Sequence, residues 1–231
     1  KRTALSLVFT KPKQAYPLEK VTCMLAFMDA PLMLALSVAL TIGTGLFVAG
    51  EFSLVNLERS ELEARRERGE KGLNRTIRAL TRTATHLSSA QLGITLTTLM
   101  TGFLAEPALS KLLSPTLLNL GVSQDAIGPV SFAISLVLAT LFATLVGELI
   151  PKNMALSIPL QTSKVVVGFQ LAFSWVFFWL VKFLNDTGNR VVRALGIEPK
   201  EELSSSRTAE ELSSLVKRAA TLGSLDSHTA T

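Results

Sequence analysis

The stretch LVGELIPKNMAL, residues 145–156, interrupts what would otherwise be an ordinary membrane span. About 22 uncharged residues, 126–147, run directly into Glu148, and Pro151 and Lys152 follow within one further helical turn. A carboxylate at the end of a span is costly in lipid unless it is paired or hydrated. The position of this glutamate therefore needs a physical explanation, which depends on the other hydrophobic segments of the chain.

The hydrophobic residues are concentrated in long runs. The chain has 231 residues, 48% of them hydrophobic, and a mean hydropathy of +0.40. Long uncharged runs alternate with dense clusters of charge, and runs of about 20 residues match the thickness of the hydrocarbon core. The pattern predicts an all-α membrane protein with three transmembrane helices, at about residues 30–57, 87–105 and 126–150.

The orientation follows from the lysine and arginine residues, which favour the cytoplasmic side of a membrane. The segment 58–85 carries eight basic residues interleaved with glutamates, which predicts a cytoplasmic helix with i,i+4 ion pairs whose apolar face lies along the membrane surface. The segment 106–129 carries one basic residue and several prolines and glycines, and is predicted to be an outer loop. The N-terminus is therefore expected outside and the C-terminus in the cytoplasm.

A fourth apolar run, at residues 165–181 within the segment 163–184, is rich in phenylalanine and tryptophan and is bracketed by Lys164 and Lys182. Both flanks favour the cytoplasmic side, which a single crossing would not allow. The run is predicted to be an interfacial belt helix or a hairpin. A true fourth span is the alternative.

Other function classes are less well supported. The net charge of +5 comes mainly from bases beside hydrophobic spans, so anionic lipid explains it more simply than nucleic acid does. One cysteine and two distant histidines form no zinc pattern, and no catalytic constellation is present, so no enzyme is expected.

Residues 1–27 are expected to be a disordered tail. A capping box at Thr208 and Glu211 predicts a helix within 201–231.

Pro151 offers an explanation for the position of Glu148. Pro151 lacks a backbone N–H, and its ring clashes with the carbonyl of Gly147 four residues earlier. The freed carbonyl beside Glu148 makes an oxygen-rich corner of the kind that Mg²⁺ and Na⁺ bind, and Lys152 could neutralise the carboxylate when no ion is present. The alternative is a simple i,i+4 pair between Glu148 and Lys152, with a proline that merely ends the helix.

Further oxygen ligands are available on the other two spans. Glu51 lies at the cytoplasmic end of the first span, and the second span supplies hydroxyl groups, of which Ser89 and Thr95 are candidate ligands. Three spans would then bring two carboxylates and several hydroxyls to one range of depth. For Glu51 the alternative is an ion pair with Lys152.

Three strings together resemble a known family. They are LFVAGEFSLVNLERSELEARRERG after the first span begins, HLSSAQLGITLTTLMTGFLAEPAL in the second, and GELIPKNMAL at the end of the third. This arrangement resembles the CNNM/CorC family, also labelled haemolysin-like, over about residues 30–218. The resemblance implies a homodimeric transmembrane domain at 28–200 in the plasma membrane. It also implies that 201–231 begins a cytoplasmic linker to a CBS-domain pair, which would bind ATP.

The resemblance also implies an activity, Mg²⁺ transport or export coupled to Na⁺. It places the ion on Glu148 and Gly147, with further ligands from the first two spans, and leaves structural or gating roles for Pro151, Lys152, Gly50 and Gly93. Family members often read FSGSE and GNN where this chain reads FVAGE and GIT, so Val48, Gly50 and Ile94 supply no side-chain oxygen. The alternative function is a membrane-anchored sensor or scaffold for CBS domains that moves no ion. Membrane disruption, as the haemolysin label suggests, has no support in the pattern.

Overall fold

The computed structural model describes residues 29–197, which form helices joined by short turns. The predictions for residues 1–27 and 201–231 lie outside this range. The helices are α1 (Ala30–Val55), α2 (Arg59–Glu67), α3 (Asn74–Leu80), α4 (Thr83–Asn119), α5 (Gln124–Phe142), a π-helical segment (Ala143–Leu149), α6 (Ile150–Ser157), α7 (Pro159–Val176) and α8 (Phe178–Ala194). The described chain divides into two compact units, one with residues 29–39 and 100–141, the other with residues 40–99 and 142–197.

Three helices are long and apolar enough to cross a membrane within the described range. They are α1 with 26 residues, α4 with 37, and the continuous stretch Gln124–Ser157 with 34. Each exceeds the roughly 20 residues that a bilayer core requires. The predicted all-α class with three membrane-spanning helices is confirmed, whereas the orientation of the termini stays a prediction.

The predicted outer loop at 106–129 is wrong for most of its length. Helix α4 continues through Pro107 and Pro115 to Asn119, and α5 begins at Gln124. A proline removes only one helical hydrogen bond, and helices in membrane proteins tolerate that loss when neighbouring groups satisfy the freed backbone. The turn is confined to residues 120–123, where Gly121 adopts a positive φ of 85°.

In the first unit, small polar side chains join α4 and α5. Ser110 Oγ on α4 donates a hydrogen bond of 3.1 Å to Ser131 Oγ on α5. Ser131 in turn donates to the Ile127 carbonyl at 2.6 Å, so its hydroxyl is satisfied although it is buried. Small polar residues of this kind allow close helix contact in lipid.

In the second unit, the charged segment after α1 forms two helices rather than one. Gly69 and Gly72, with φ values of 94° and 85°, turn the chain between α2 and α3. The predicted i,i+4 pairs are present, for example Arg65 with Glu61 at 2.6 Å.

The apolar face of α2 and α3 packs on protein, and the predicted placement along the membrane surface stays a prediction. Leu62, Leu73 and Ile77 are buried in one cluster, against which Leu160 of α7 packs. Glu70 accepts a hydrogen bond of 3.0 Å from Lys164, also on α7, and this bond lowers the pKa of the Glu70 carboxyl below its ordinary value. The contact with α7 removes apolar area of α2 and α3 from water, which stabilises the packed arrangement relative to a fully solvated helix.

The aromatic run predicted as a belt is the corner between two helices. Helix α7 ends at Val176, α8 begins at Phe178, and the two are bent by 78° relative to one another. By length and composition this pair is a broken span or a re-entrant segment. The predicted belt, 163–184, therefore covers most of α7 and the beginning of α8. Its position in the membrane interface stays a prediction.

A close contact between α1 and α4 depends on Gly93. Phe47 of α1 is buried, and a Cβ added to Gly93 would lie only 2.5 Å from its ring. The Phe47 ring also packs against Phe169 and Phe173 of α7, with centroid distances of 4.8 and 4.6 Å. The role of Gly93 in this structure is thus to admit an aromatic ring to its backbone.

We expect Gly93→Ala to destabilise the protein by about 1–3 kcal/mol, because the new methyl group would overpack a ring that is held on its other side. Gly102→Ala on the same helix is the matched control, since nothing lies within 4 Å of a Cβ there. The control should be neutral or slightly stabilising, as alanine is the better helix former. Thermal unfolding in detergent measures both, and equal melting temperatures for the two variants would contradict the packing role of Gly93.

Candidate functional site

The stretch that contains Glu148 is a π-helical segment within a long helix. The Ile150 N–H bonds to the Leu145 carbonyl, five residues earlier, in place of the α-helical partner four residues earlier. The helix does not end at Pro151 as predicted, but continues as α6 to Ser157. The wider π turn accommodates the proline ring, which would otherwise meet the Gly147 carbonyl. Pro151 has no N–H to offer that carbonyl.

The π segment faces α1 at a point where α1 has only small residues. A Cβ added to Gly45 would lie 3.0 Å from Pro151 Cγ, 3.4 Å from the Val146 oxygen and 3.8 Å from the Gly147 oxygen. Two consecutive carbonyl oxygens of the π segment therefore lie next to the α1 backbone. A larger residue than glycine at position 45 would displace them.

Two threonines of α1 complete this contact. A Cβ added to Gly147 would lie 3.3 Å from Thr41 Cγ2 and 3.6 Å from Thr44 Cβ, and both threonines are buried. Thr44 Oγ1 is 2.7 Å from Thr97 Oγ1 on α4, and Thr97 also donates to the Gly93 carbonyl at 2.8 Å. Threonine hydroxyls of α1 and α4 thus bond to one another at the level where α1 contacts the backbone of the π segment, which we call the hydroxyl level.

Glu148 itself is exposed on the surface of the chain. Between residues 29 and 197, no hydrogen bond or ion pair engages its carboxylate, and Lys152 instead places its Nζ 4.8 Å from the centroid of the Phe52 ring. The alternative of a Glu148–Lys152 ion pair is therefore not what the structure contains. The same range has no group of three acidic, histidine or cysteine side chains that could hold a metal ion.

Glu51 is half-buried, and the Gln91 side-chain amide donates a hydrogen bond to its carboxylate. Glu51 is thus engaged by a neutral amide on α4 rather than by Lys152. It lies seven residues beyond Thr44, which at 1.5 Å per residue is about 10 Å along the helix axis. Glu51 therefore belongs to a separate polar level near the end of α1, with Gln91 and the Lys152–Phe52 contact.

The remaining predicted residues are held elsewhere. Thr95 is exposed, and its hydroxyl donates to the Gln91 carbonyl of its own helix at 2.8 Å. Ser89 is buried and is 2.7 Å from Ser174 Oγ on α7. These contacts satisfy both hydroxyls within the protein, away from the hydroxyl level.

Gly50 has a packing role in the same region as Ser89. Gln170 of α7 is fully buried, and its Oε1 occupies the place where a Cβ of Gly50 would lie. The Gln170 Nε2 donates to the His86 carbonyl at 2.8 Å, and His86 Nδ1 is 2.9 Å from Ser174 Oγ. Glycine at position 50 is therefore what allows this buried polar side chain to reach α1.

The sequence did contain a signal for the threonines that were missed. Thr44 and Glu51 are seven residues apart, and Thr41 lies one turn before Thr44, so all three fall on one side of α1. Thr97 follows Thr95 by two residues and points away from it. What the sequence could not supply is which face of α4 meets that side.

Comparison with known proteins places this geometry in a family. A family model described as the Cyclin M transmembrane N-terminal domain, CNNM, matches residues 35–229. The chain belongs to the CNNM family. The match covers α1 from residue 35 onward, α4, the π segment and α7, and thus every residue of the hydroxyl level.

Relatives of this CNNM domain occur in several bacteria. It is 46% identical to UPF0053 protein MT1890 of Mycobacterium tuberculosis over 193 residues, which are 83% of this chain and 42% of that protein. It is 32% identical to UPF0053 protein YhdT of Bacillus subtilis over 198 residues, 86% of this chain and 42% of the relative. The chain therefore spans less than half the length of these relatives.

The Thr44–Thr97 hydrogen bond should contribute about 1 kcal/mol to the free energy of unfolding, the usual range for polar contacts between membrane helices. A double-mutant cycle with Thr44→Val, Thr97→Val and both together measures the coupling directly. Thr98→Val, on the exposed side of the same helix, is the control and should change stability by less than about 0.5 kcal/mol. A coupling energy indistinguishable from zero would show that the two hydroxyls do not support one another.

Proposed function

We propose that this CNNM domain is the membrane part of a divalent-cation transporter, with Mg²⁺ as the transported ion and Na⁺ as the coupling ion. The observation that carries the proposal is the π segment, which places the carbonyl oxygens of Val146 and Gly147 against α1 directly before Glu148, whose carboxylate is exposed and unengaged. Family membership supports a membrane transporter. The identity of the ion and the coupling are our inference from the ligand chemistry.

The available ligands are all oxygens, which suits a hard cation. The proposed ligands are the Glu148 carboxylate, the Gly147 carbonyl and the hydroxyls of Thr41 and Thr44. Mg²⁺ dehydrates reluctantly and usually retains several waters, with one or two carboxylates as protein ligands. A site with one carboxylate and neutral oxygens would hold the ion loosely enough for release, as transport requires. Glu51, with Gln91, would form a second carboxylate on the path about 10 Å along α1.

The exposure of Glu148 supports a homodimer. Leu145, Leu149 and Ile150, which surround it on the helix surface, are exposed hydrophobic residues. Charged side chains within membrane spans almost always face a protein interior or a water-filled cavity. A second copy packed on this face would shield the carboxylate from lipid and enclose a hydrated path. We further propose that the full-length protein lies in the plasma membrane and that its ATP-binding CBS pair regulates transport.

A second candidate is a membrane-anchored scaffold for CBS domains without transport. Two positions on α1 favour the scaffold. Val48 is buried, and the Gln170 side chain occupies the space beside Gly50, so this part of α1 offers no side-chain oxygen. Under this alternative Glu148 would serve only the contact between copies. The alternatives differ in whether ions cross the membrane.

Replacing Glu148 by Gln should lower the initial rate of Mg²⁺ movement into liposomes at least about tenfold, since contacts to a charged group contribute about 1.5–3 kcal/mol. The measurement uses the reconstituted chain with an internal Mg²⁺-sensitive dye, with and without an opposing Na⁺ gradient. Asp125→Asn is the matched control, because it removes one exposed carboxylate from the first turn of the same continuous helix. Its rate should equal that of the wild type.

Two results would contradict the proposal. If the folded wild-type protein moves no Mg²⁺, the scaffold reading is the better one. If Glu148→Gln transports at the wild-type rate, the ion path does not use this carboxylate.

Disulfide cross-linking tests the dimer face. Leu145→Cys in a Cys23→Ser background should form a covalent dimer on mild oxidation in membranes, because an exposed residue near a twofold axis meets its own copy. Leu99→Cys, an equally apolar and exposed position on α4, is the control and should remain monomeric on denaturing gels. Cross-linking at position 99 and not at 145 would place the dimer interface elsewhere.

A further inference from the structure

A cavity of about 540 Å³ lies where α3 and the beginning of α4 meet the corner between α7 and α8. It is distinct from the hydroxyl level and shares no residue with it. Its lining combines two arginines, Arg78 and Arg82, with the aromatic residues Trp175 and Phe178. A second depression of about 350 Å³ adjoins it through the shared residues Thr85 and Phe178, and is lined by Lys182.

The two arginines are not neutralised by the protein. Within residues 29–197, neither Arg78 nor Arg82 forms an ion pair or a side-chain hydrogen bond. Some bases of the region do pair, for example Lys164 with Glu70, whereas within the described residues the exposed Arg66 and Lys71 form no ion pair either. The carboxylate that lines the adjoining depression, Asp186, lies on α8 four residues after Lys182. Two guanidinium groups four residues apart on one wall of a cavity are an arrangement that recognises phosphate.

The residues around the cavity are of the kinds expected at the depth of the lipid headgroups. Arg82 immediately precedes the span α4, whose uncharged part begins at about Leu87. Across the cavity, Trp175 near the end of α7 is 81% exposed, and Trp179 at the beginning of α8 is 78% exposed. Exposed tryptophans beside basic residues at the end of a span are typical of the membrane–water interface.

We propose that this cavity binds the phosphate headgroup of an anionic phospholipid. Arg78 and Arg82 would bind the phosphodiester oxygens, while Leu171, Ala172 and Phe178 would contact the glycerol and the first acyl carbons. A free phosphate ion would use the arginines but gain nothing from the apolar wall. A zwitterionic lipid would bring a cationic head next to the guanidinium groups, so a lipid with net negative charge is favoured. The site holds the α7–α8 corner to the membrane surface.

The chain offers its own reporter for this site. Of its two tryptophans, Trp175 lines the cavity, so Trp179→Phe leaves a single fluorophore at the site. The purified chain in a neutral detergent is titrated with phosphatidylglycerol brominated on its acyl chains, and quenching of Trp175 gives the affinity. Brominated phosphatidylcholine and inorganic phosphate are the comparison ligands. We expect saturable quenching by phosphatidylglycerol, much weaker quenching by phosphatidylcholine, and no competition from millimolar phosphate.

Two double variants locate the charge requirement. Arg78→Gln with Arg82→Gln should weaken phosphatidylglycerol binding roughly thirtyfold, about fivefold for each basic residue. Arg66→Gln with Lys71→Gln removes the same charge from exposed positions in the neighbouring segment, and should change the affinity less than about threefold. If the first double variant is unstable, Arg78→Gln alone is measured against Arg66→Gln alone.

Three results would overturn the proposal. Equal losses in the two double variants would mean diffuse attraction to a basic surface rather than a site. Equal quenching by phosphatidylcholine would remove the preference for an anionic headgroup. Displacement of phosphatidylglycerol by inorganic phosphate at comparable concentration would identify a free-anion site in place of a lipid site.

Discussion

The missing backbone N–H of Pro151 is the constraint on which the polar centre of this domain depends. Inside a membrane span every carbonyl must find a partner within the protein, and an α-helix would pair Gly147 with residue 151. The chain instead forms a π segment, Ala143–Leu149. This segment directs the carbonyl oxygens of Val146 and Gly147 toward α1. The helix therefore continues past the proline, while the backbone before it becomes a polar surface.

Helix α1 approaches that polar surface closely. Gly45 admits Pro151 and the neighbouring carbonyls, and Gly93 admits the ring of Phe47. At a third point, Gly50 admits the side chain of Gln170 from α7. Each of these glycines is opposed by a large group from another helix, so backbones and hydroxyls come within hydrogen-bonding distance. Packing of this kind supplies the association energy that the hydrophobic effect does not provide in lipid.

Three groups of polar residues in this second unit have different surroundings. The hydroxyl level contains Thr41, Thr44 and Thr97, the end of α1 contains Glu51 with Gln91, and α7 contributes a buried network with Ser89 and His86. Only the first lies against the π segment. The arginine-lined cavity at the α7–α8 corner is a fourth environment, and it faces outward. Helix α7 therefore has two roles, because it contributes to the buried polar network and also lines a surface cavity.

The sequence by itself determined the class of protein, the three candidate spans, the i,i+4 pairs of the charged segment and the family resemblance. These follow from local quantities, namely the length of apolar runs, the spacing of charges and the chemistry of proline. Only the tertiary structure decided that α4 continues through Pro107 and Pro115, that α2 and α3 pack on α7, and that Thr41 and Thr44 lie against Gly147. The reason is that helix rotation sets which hydroxyls meet, and rotation is fixed by contacts such as Phe47 on Gly93 between residues far apart in the chain.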